Sequence, residues 1–148
     1  MQAGLYQDLT KFVETINGSR DATILALDMG AKKVGIAKGS LRLKIATSLM
    51  VVKYRSSAHL SAMLGDIIRE HNVCGLVVGL PSNNLQERFS NFVVNLNLGL
   101  PFIFEDESYS TKIANIMLKE AGVKRKRRNE IDDKFSAQVI LNTLFAKI

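Results

Sequence analysis

The spacing of apolar residues along this chain changes period several times, and each change marks a new element. Leu5, Leu9, Phe12, Val13 and Ile16 recur at helical intervals until "NGS" breaks the pattern, which predicts a short amphipathic helix. "TILALD", "VGIAKG" and "LRLKIATS" then read as three short strands. Tight connections containing Gly30 and Gly39 would join them in an antiparallel meander. From Ala58 to His71 the helical period returns, with Leu60, Met63, Leu64, Ile67 and Ile68 on one stripe. "VCGLVVGLP" is almost unbroken in apolarity and too short for a core helix, the pattern of a parallel strand covered on both faces. Leu85, Phe89, Phe92, Val93 and Leu96 mark another helix, and "PFIFEDE" a second buried strand with an acidic far end. "STKIANIMLKEAG" reads as a helix capped by Ser110 and stopped at Gly122. A basic loop of Lys124, Arg125, Lys126, Arg127 and Arg128 leads into a last helix, with Ile131, Phe135, Val139 and Ile140 on its inner side.

That order, a helix followed by β-β-β-α-β-α-β-α-α, predicts an α/β fold. A mixed sheet, part antiparallel meander and part parallel strands, would carry helices on both faces. The N-terminal helix occupies 1–20 and the domain proper 21–148. The apolar face of that helix either packs on the domain or joins two copies as a homodimer.

Composition narrows the function. The length of 148 residues suits one domain with a real core, and 47% hydrophobic with 23% charged residues is ordinary for a globular protein. A single cysteine, Cys74, cannot form an internal disulfide, which favours a reducing, cytoplasmic compartment. No apolar stretch approaches the roughly 18 residues of a membrane span, and the first residues lack the layout of a signal peptide. With 20 basic and 14 acidic residues the formal net charge is +6, which points to a polyanionic partner.

The acids are the candidate chemistry. Asp28 closes the first strand, and Asp106 and Glu107 close the last. Asp133 lies four residues before Ala137 and eight before Leu141, on a core-facing side of the final helix. Taken singly, each has a plain role as a turn or first-turn acid. If the first and last strands are neighbours, their ends bring the acids together, and a helix crossing that edge adds Asp133. Gathered carboxylates repel one another unless a cation neutralises them. Mg²⁺ or Mn²⁺ takes such oxygen ligands and leaves room for a substrate phosphate. Two ions about 4 Å apart can activate a water and stabilise the leaving oxygen of a phosphodiester. Lys32 and Lys33 would lie beside the acids, where a phosphate backbone passes. No Walker loop and no serine–histidine–acid arrangement offers a competing chemistry.

In sequence order these segments resemble the YqgF/RuvX family, ribonuclease H-like proteins described as Holliday junction resolvases and as nucleases for the 5′ end of precursor 16S ribosomal RNA. The resemblance runs from about Thr23 to the C-terminus. "LALDMGAKKVGIA" is similar to the family's first motif through Asp28, Gly30, Lys32, Lys33 and Gly35, and "VVGLPSN" matches its glycine-leucine-proline segment. "EDESYST" resembles its aspartate-glutamate-arginine motif through Asp106, Glu107, Ser110 and Thr111, and "EAGVKRKRR" and "DDKFSAQVIL" fit the last two segments. The resemblance implies a ribonuclease H-like fold and metal-dependent phosphodiester cleavage of RNA or branched DNA. Asp28, Glu107 (or Asp106) and Asp133 would hold the metal. Arg88 and the run Lys124 to Arg128 would join Lys32 and Lys33 in gripping substrate. Three positions depart from the pattern: Ala31, Lys33 and Ser108, the last replacing an arginine that could fork onto a phosphate. The loop after Asn83 is also shorter than usual. These departures motivate an alternative, a nucleic-acid-binding module with weak or no catalysis in ribosome assembly or transcription.

Overall fold

A computed structural model of the chain describes residues 4–17, 22–30, 32–80, 86–106, 119–122 and 125–148, with backbone alone for Gln86, Asp106 and 125–134. Strand β1 (Gly4–Tyr6) leads into helix α1 (Leu9–Ile16), and β2 (Thr23–Met29), β3 (Lys33–Ser40) and β4 (Ile45–Lys53) form the meander. Helix α2 (Ser57–His71), β5 (Val73–Leu80), α3 (Gln86–Leu96), β6 (Pro101–Asp106) and α4 (Arg125–Ala146) follow. The helix expected over "STKIANIMLKEAG" falls mostly outside the described residues.

The strands form one six-stranded sheet in the order β1-β6-β5-β2-β3-β4. β2 pairs antiparallel with β3 and parallel with β5, and β5 pairs parallel with β6. Strand alternation sends odd and even residues to opposite faces. Ile24 and Ala26 of β2 therefore meet Phe12 and Ile16 of α1 and Ala137, Ile140 and Leu141 of α4. Leu25 and Leu27 meet Leu60, Leu64 and Ile67 of α2 and Val93 and Leu96 of α3. Both faces are covered by helices, as the pattern predicts. The apolar side of α1 packs on this sheet, with Phe12 and Ile16 buried to 0% and 1% exposure. Gly75 admits it: a Cβ there would lie 2.9 Å from Ile16 and 3.2 Å from Phe12.

Several expectations are corrected. Leu5, placed by spacing on the first helix, lies on β1, which pairs with β6. The third strand begins at Ile45, because Leu41–Lys44 form a turn in which Lys44 takes φ 53°. Gly39 sits within β3 rather than in a connection. A Cβ there would meet the Ile45 carbonyl and Leu141 Cδ2, both at 2.8 Å, so only glycine lets α4 lie this close. The basic run is not a loop from Arg125 onward, since α4 begins there; arginine and lysine are good helix formers. Ile140 is buried as expected, but Phe135 is 38% exposed, and the inner side of α4 continues through Ala137, Leu141, Leu144 and Phe145.

Candidate active site at the carboxyl edge of the sheet

β2, β5 and β6 are mutually parallel, so their carboxyl ends share one edge of the sheet. The first and last strands of the sequence pattern are not neighbours, however: β5 lies between β2 and β6. Asp28 is in register with Gly79 of β5 on one side and Gly35 of β3 on the other. Gly79 is in turn in register with Glu105, while Asp106 is opposite Leu80, one row further out. Asp28 thus stands half-buried between two buried glycines, with no neighbouring side chain in its own row on either adjacent strand. Among the described residues none bonds to its carboxylate. Its parity with Ile24 and Ala26 puts it on the face that α4 covers.

Sequence reasoning missed Glu105, because the acids after it drew attention to the strand end. Glu105 is the next side chain in the Asp28 row, two strand spacings (about 10 Å) away across Gly79. Lys147, just past the end of α4, forms an ion pair with it, and the Glu105 side chain is only 10% exposed. Asp106 belongs to the end of β6, whereas Glu107 and Lys124 lie outside the described residues. Asp133, Arg125, Lys126, Arg127 and Arg128 are placed on the backbone of the first half of α4. Among the described residues no three histidine, cysteine, aspartate or glutamate side chains gather as metal ligands.

The turn after Asp28 is fixed from two directions. The Gly30 amide donates to the Lys33 carbonyl at 2.9 Å, and the Tyr54 amide donates to the Lys32 carbonyl at 3.1 Å. The Tyr54 hydroxyl donates to the Gly30 carbonyl at 2.7 Å, and its ring stacks on Phe92 with centroids 6.0 Å apart. Burial pushes the Tyr54 phenol above its ordinary range, so it stays a proton donor well into alkaline pH. Gly30 is needed because a Cβ there would lie 2.8 Å from the Lys33 carbonyl, which is a backbone reason rather than room for a ligand. Nothing in the sequence flagged Tyr54; its distance from Asp28 along the chain hid it. Lys32 and Lys33 are exposed on this turn, and Arg88 is exposed in the first turn of α3, just after the carboxyl end of β5. Of the cations predicted to grip substrate, Lys32 and Lys33 therefore share the edge that carries Asp28.

Residues 22–147 match the family model of the RuvX Holliday junction resolvases. The chain belongs to the RuvX family. A protein of Rickettsia rickettsii (strain Sheila Smith) bearing the name "Putative pre-16S rRNA nuclease" is 35% identical over 137 residues, covering 86% of this chain and 88% of that protein. The like-named protein of Rickettsia bellii (strain OSU 85-389) is 35% identical over 136 residues with the same coverage. Among solved structures, Thermus thermophilus RuvC bound to a Holliday junction superposes with TM-score 0.52 at 13% identity, covering 85% of this chain and 95% of that one. The large terminase nuclease of phage G20c gives TM-score 0.53 at 11% identity, covering 83% and 82%. At such low identity these two speak for the fold, which is ribonuclease H-like. This family member also contains no helix, among its described residues, long and apolar enough to cross a membrane.

Proposed function

We propose that this chain is a divalent-metal-dependent nuclease that hydrolyses phosphodiester bonds in structured nucleic acid. Its substrates are the 5′ end of precursor 16S ribosomal RNA, branched DNA of the Holliday junction type, or both, and it works in the cytoplasm. The observation that carries this reading is Asp28 itself: a half-exposed carboxylate at the carboxyl edge of a RuvX-family sheet, with glycine on either side in its row. Such a flat, side-chain-free margin suits a phosphate and a hydrated hard cation, which a neighbouring side chain would exclude.

The donor set fits Mg²⁺ or Mn²⁺, because every candidate ligand is a carboxylate oxygen. Asp28, Glu107 (or Asp106) and Asp133 would hold the metal. The path of α4 supports the inclusion of Asp133. Leu141 of α4 packs at Gly39 of β3, the strand whose Gly35 is the register partner of Asp28. Position 133 lies on the same helix, about 12 Å before Leu141. When bound, a pair of such ions supplies Lewis acidity and a water acidic enough to attack at neutral pH. The protein's own work is to hold the carboxylates fixed and to seat the phosphate backbone. Lys32, Lys33, Arg88 and the run Lys124 to Arg128 provide that seat through sequence-independent phosphate contacts.

The test is Asp28→Asn, assayed on structured RNA and on branched DNA with Mg²⁺ or Mn²⁺, alongside calorimetric metal titration. The variant should fold and bind nucleic acid but lose cleavage by about a hundredfold or more, equivalent to ~2.7 kcal/mol of transition-state stabilisation. Its metal affinity should fall in parallel. Undiminished cleavage by the variant would refute the proposal, and wild-type protein that binds nucleic acid but takes up no metal would favour the binding-module alternative.

A further inference from the structure

The chain leaves the sheet just after Asp28. Asp28 and Met29 are still paired, opposite Gly35 and Val34 of β3. From Gly30 to Lys32 the backbone lies between the two strands, and its course is set by local bonds. Among the described residues one of these is the Gly30 amide to the Lys33 carbonyl, and two come from Tyr54. The Tyr54 amide donates to the Lys32 carbonyl at 3.1 Å and its hydroxyl to the Gly30 carbonyl at 2.7 Å. A single residue, just past the point where Lys53 pairs with Lys33, thus grips the turn at both ends.

The ring of Tyr54 reaches a different element. It stacks on Phe92 of α3 with centroids 6.0 Å apart and 29° between planes, within the range of favourable aromatic pairs. Phe92 lies four residues after Arg88, so the two share one helix face a single turn apart. The carboxyl end of α3 is tied separately, by Ser61 Oγ donating to the Leu96 carbonyl at 2.9 Å. Tyr54 therefore touches both a turn and a helix that carry exposed cations, Lys32 on the first and Arg88 on the second.

We propose that Tyr54 is a positioning residue for the nucleic-acid substrate. Its hydroxyl sets the root of Lys32, its ring sets the part of α3 that carries Arg88, and the two cations then meet a phosphate backbone together. The inference rests on the nuclease reading above and adds to it a residue that touches neither metal nor substrate. Asp28 does not depend on this strut, because ladder pairing on both sides already holds its strand. Loss of the Tyr54 contacts should weaken grip far more than chemistry.

The test uses the full chain with two probes, a fluorescein-labelled RNA stem bearing a 5′ single-stranded extension and a four-way DNA junction. Affinity is read by anisotropy, and KM and kcat by cleavage with Mn²⁺. On whichever probe the wild type binds, Tyr54→Phe should raise Kd and KM about threefold, the scale of one solvent-exposed charge contact, and change kcat much less. Phe92→Leu should do the same through the helix. Crossed backgrounds make the assignment specific. The Tyr54→Phe loss should vanish in a Lys32→Ala chain and persist in an Arg88→Ala chain, and the Phe92→Leu loss should do the reverse. General loosening would instead weaken binding in every background and would overturn the proposal. So would wild-type affinity in Tyr54→Phe, or a fall in kcat as large as that in kcat/KM, which would put the hydroxyl on the chemical step. A wild-type chain that binds neither probe would remove the nucleic-acid reading itself, whereas wild-type binding with unaffected variants would remove only the role of Tyr54.

Discussion

Tyr54→Phe isolates one hydrogen bond at the edge of the candidate active site. The substitution keeps the ring and therefore the stack on Phe92, but removes the donor that meets the Gly30 carbonyl at 2.7 Å. A neutral hydrogen bond of this kind contributes about 1 kcal/mol net, and leaving its part-buried acceptor without that donor adds to the cost, so a loss of about 1–2 kcal/mol is expected. For a chain of this size each kcal/mol moves the melting temperature by roughly 2–4 °C. Calorimetry at neutral pH should show a drop of about 3–6 °C. The pH profile makes the assignment specific. Folding raises the Tyr54 pKa, so its contribution is fully present below the unfolded value and is lost as pH rises through the folded one. The gap between wild type and variant should hold constant up to about pH 9 and narrow above about pH 10. Chemical denaturation across that range tests it. An unchanged melting temperature, or a gap indifferent to alkaline pH, would show that the hydroxyl does not hold the turn.

Three other outcomes are expected. Phe12→Ala should cost about 3–5 kcal/mol in denaturant unfolding, because Phe12 is fully buried between α1 and the sheet; a loss under 1 kcal/mol would mean that α1 is not part of the core. Gly39→Ala should cost about 1–3 kcal/mol and reduce helical order in α4, since its methyl would meet Leu141 and Phe145 at 2.8 and 2.9 Å; circular dichroism with hydrogen exchange reads this. Replacing Lys32 and Lys33 together by alanine should weaken nucleic-acid binding and lower the slope of log affinity against log salt by up to about two, with no effect on folding; an unchanged slope would remove both from the interface.

The elements legible in the sequence were those whose signal is local and long. The α2 stripe through Leu60, Leu64 and Ile67 and the unbroken β5 run gave type and place together, because burial of one face or both imprints directly on period. β1 escaped because three residues are too few to show alternation, and Leu5 happens to fall four before Leu9. The start of β4 was misplaced because the turn carries apolar residues at alternate positions, Leu41 buried in the core and Leu43 exposed, and that spacing looks like a strand. In the site, Asp28 stood out because an acid ending a greasy strand is locally anomalous. The row of Glu105, Gly79, Asp28 and Gly35 did not, since it joins four strands whose order and register are decided by nonlocal pairing. Tyr54 was invisible for the same reason. Local chemistry named the carboxylate, and only the sheet could name its neighbours.

The small residues Gly35, Ala37 and Gly39 on β3 have a temporal consequence. As the polypeptide emerges N-terminus first, that face stays bare until α4, the final element, settles onto it. Assembly of the sheet alone would leave an open apolar surface and, under the proposed reading, an aspartate without its partner from position 133. One docking event would then complete the core and, under that reading, the carboxylate set as well.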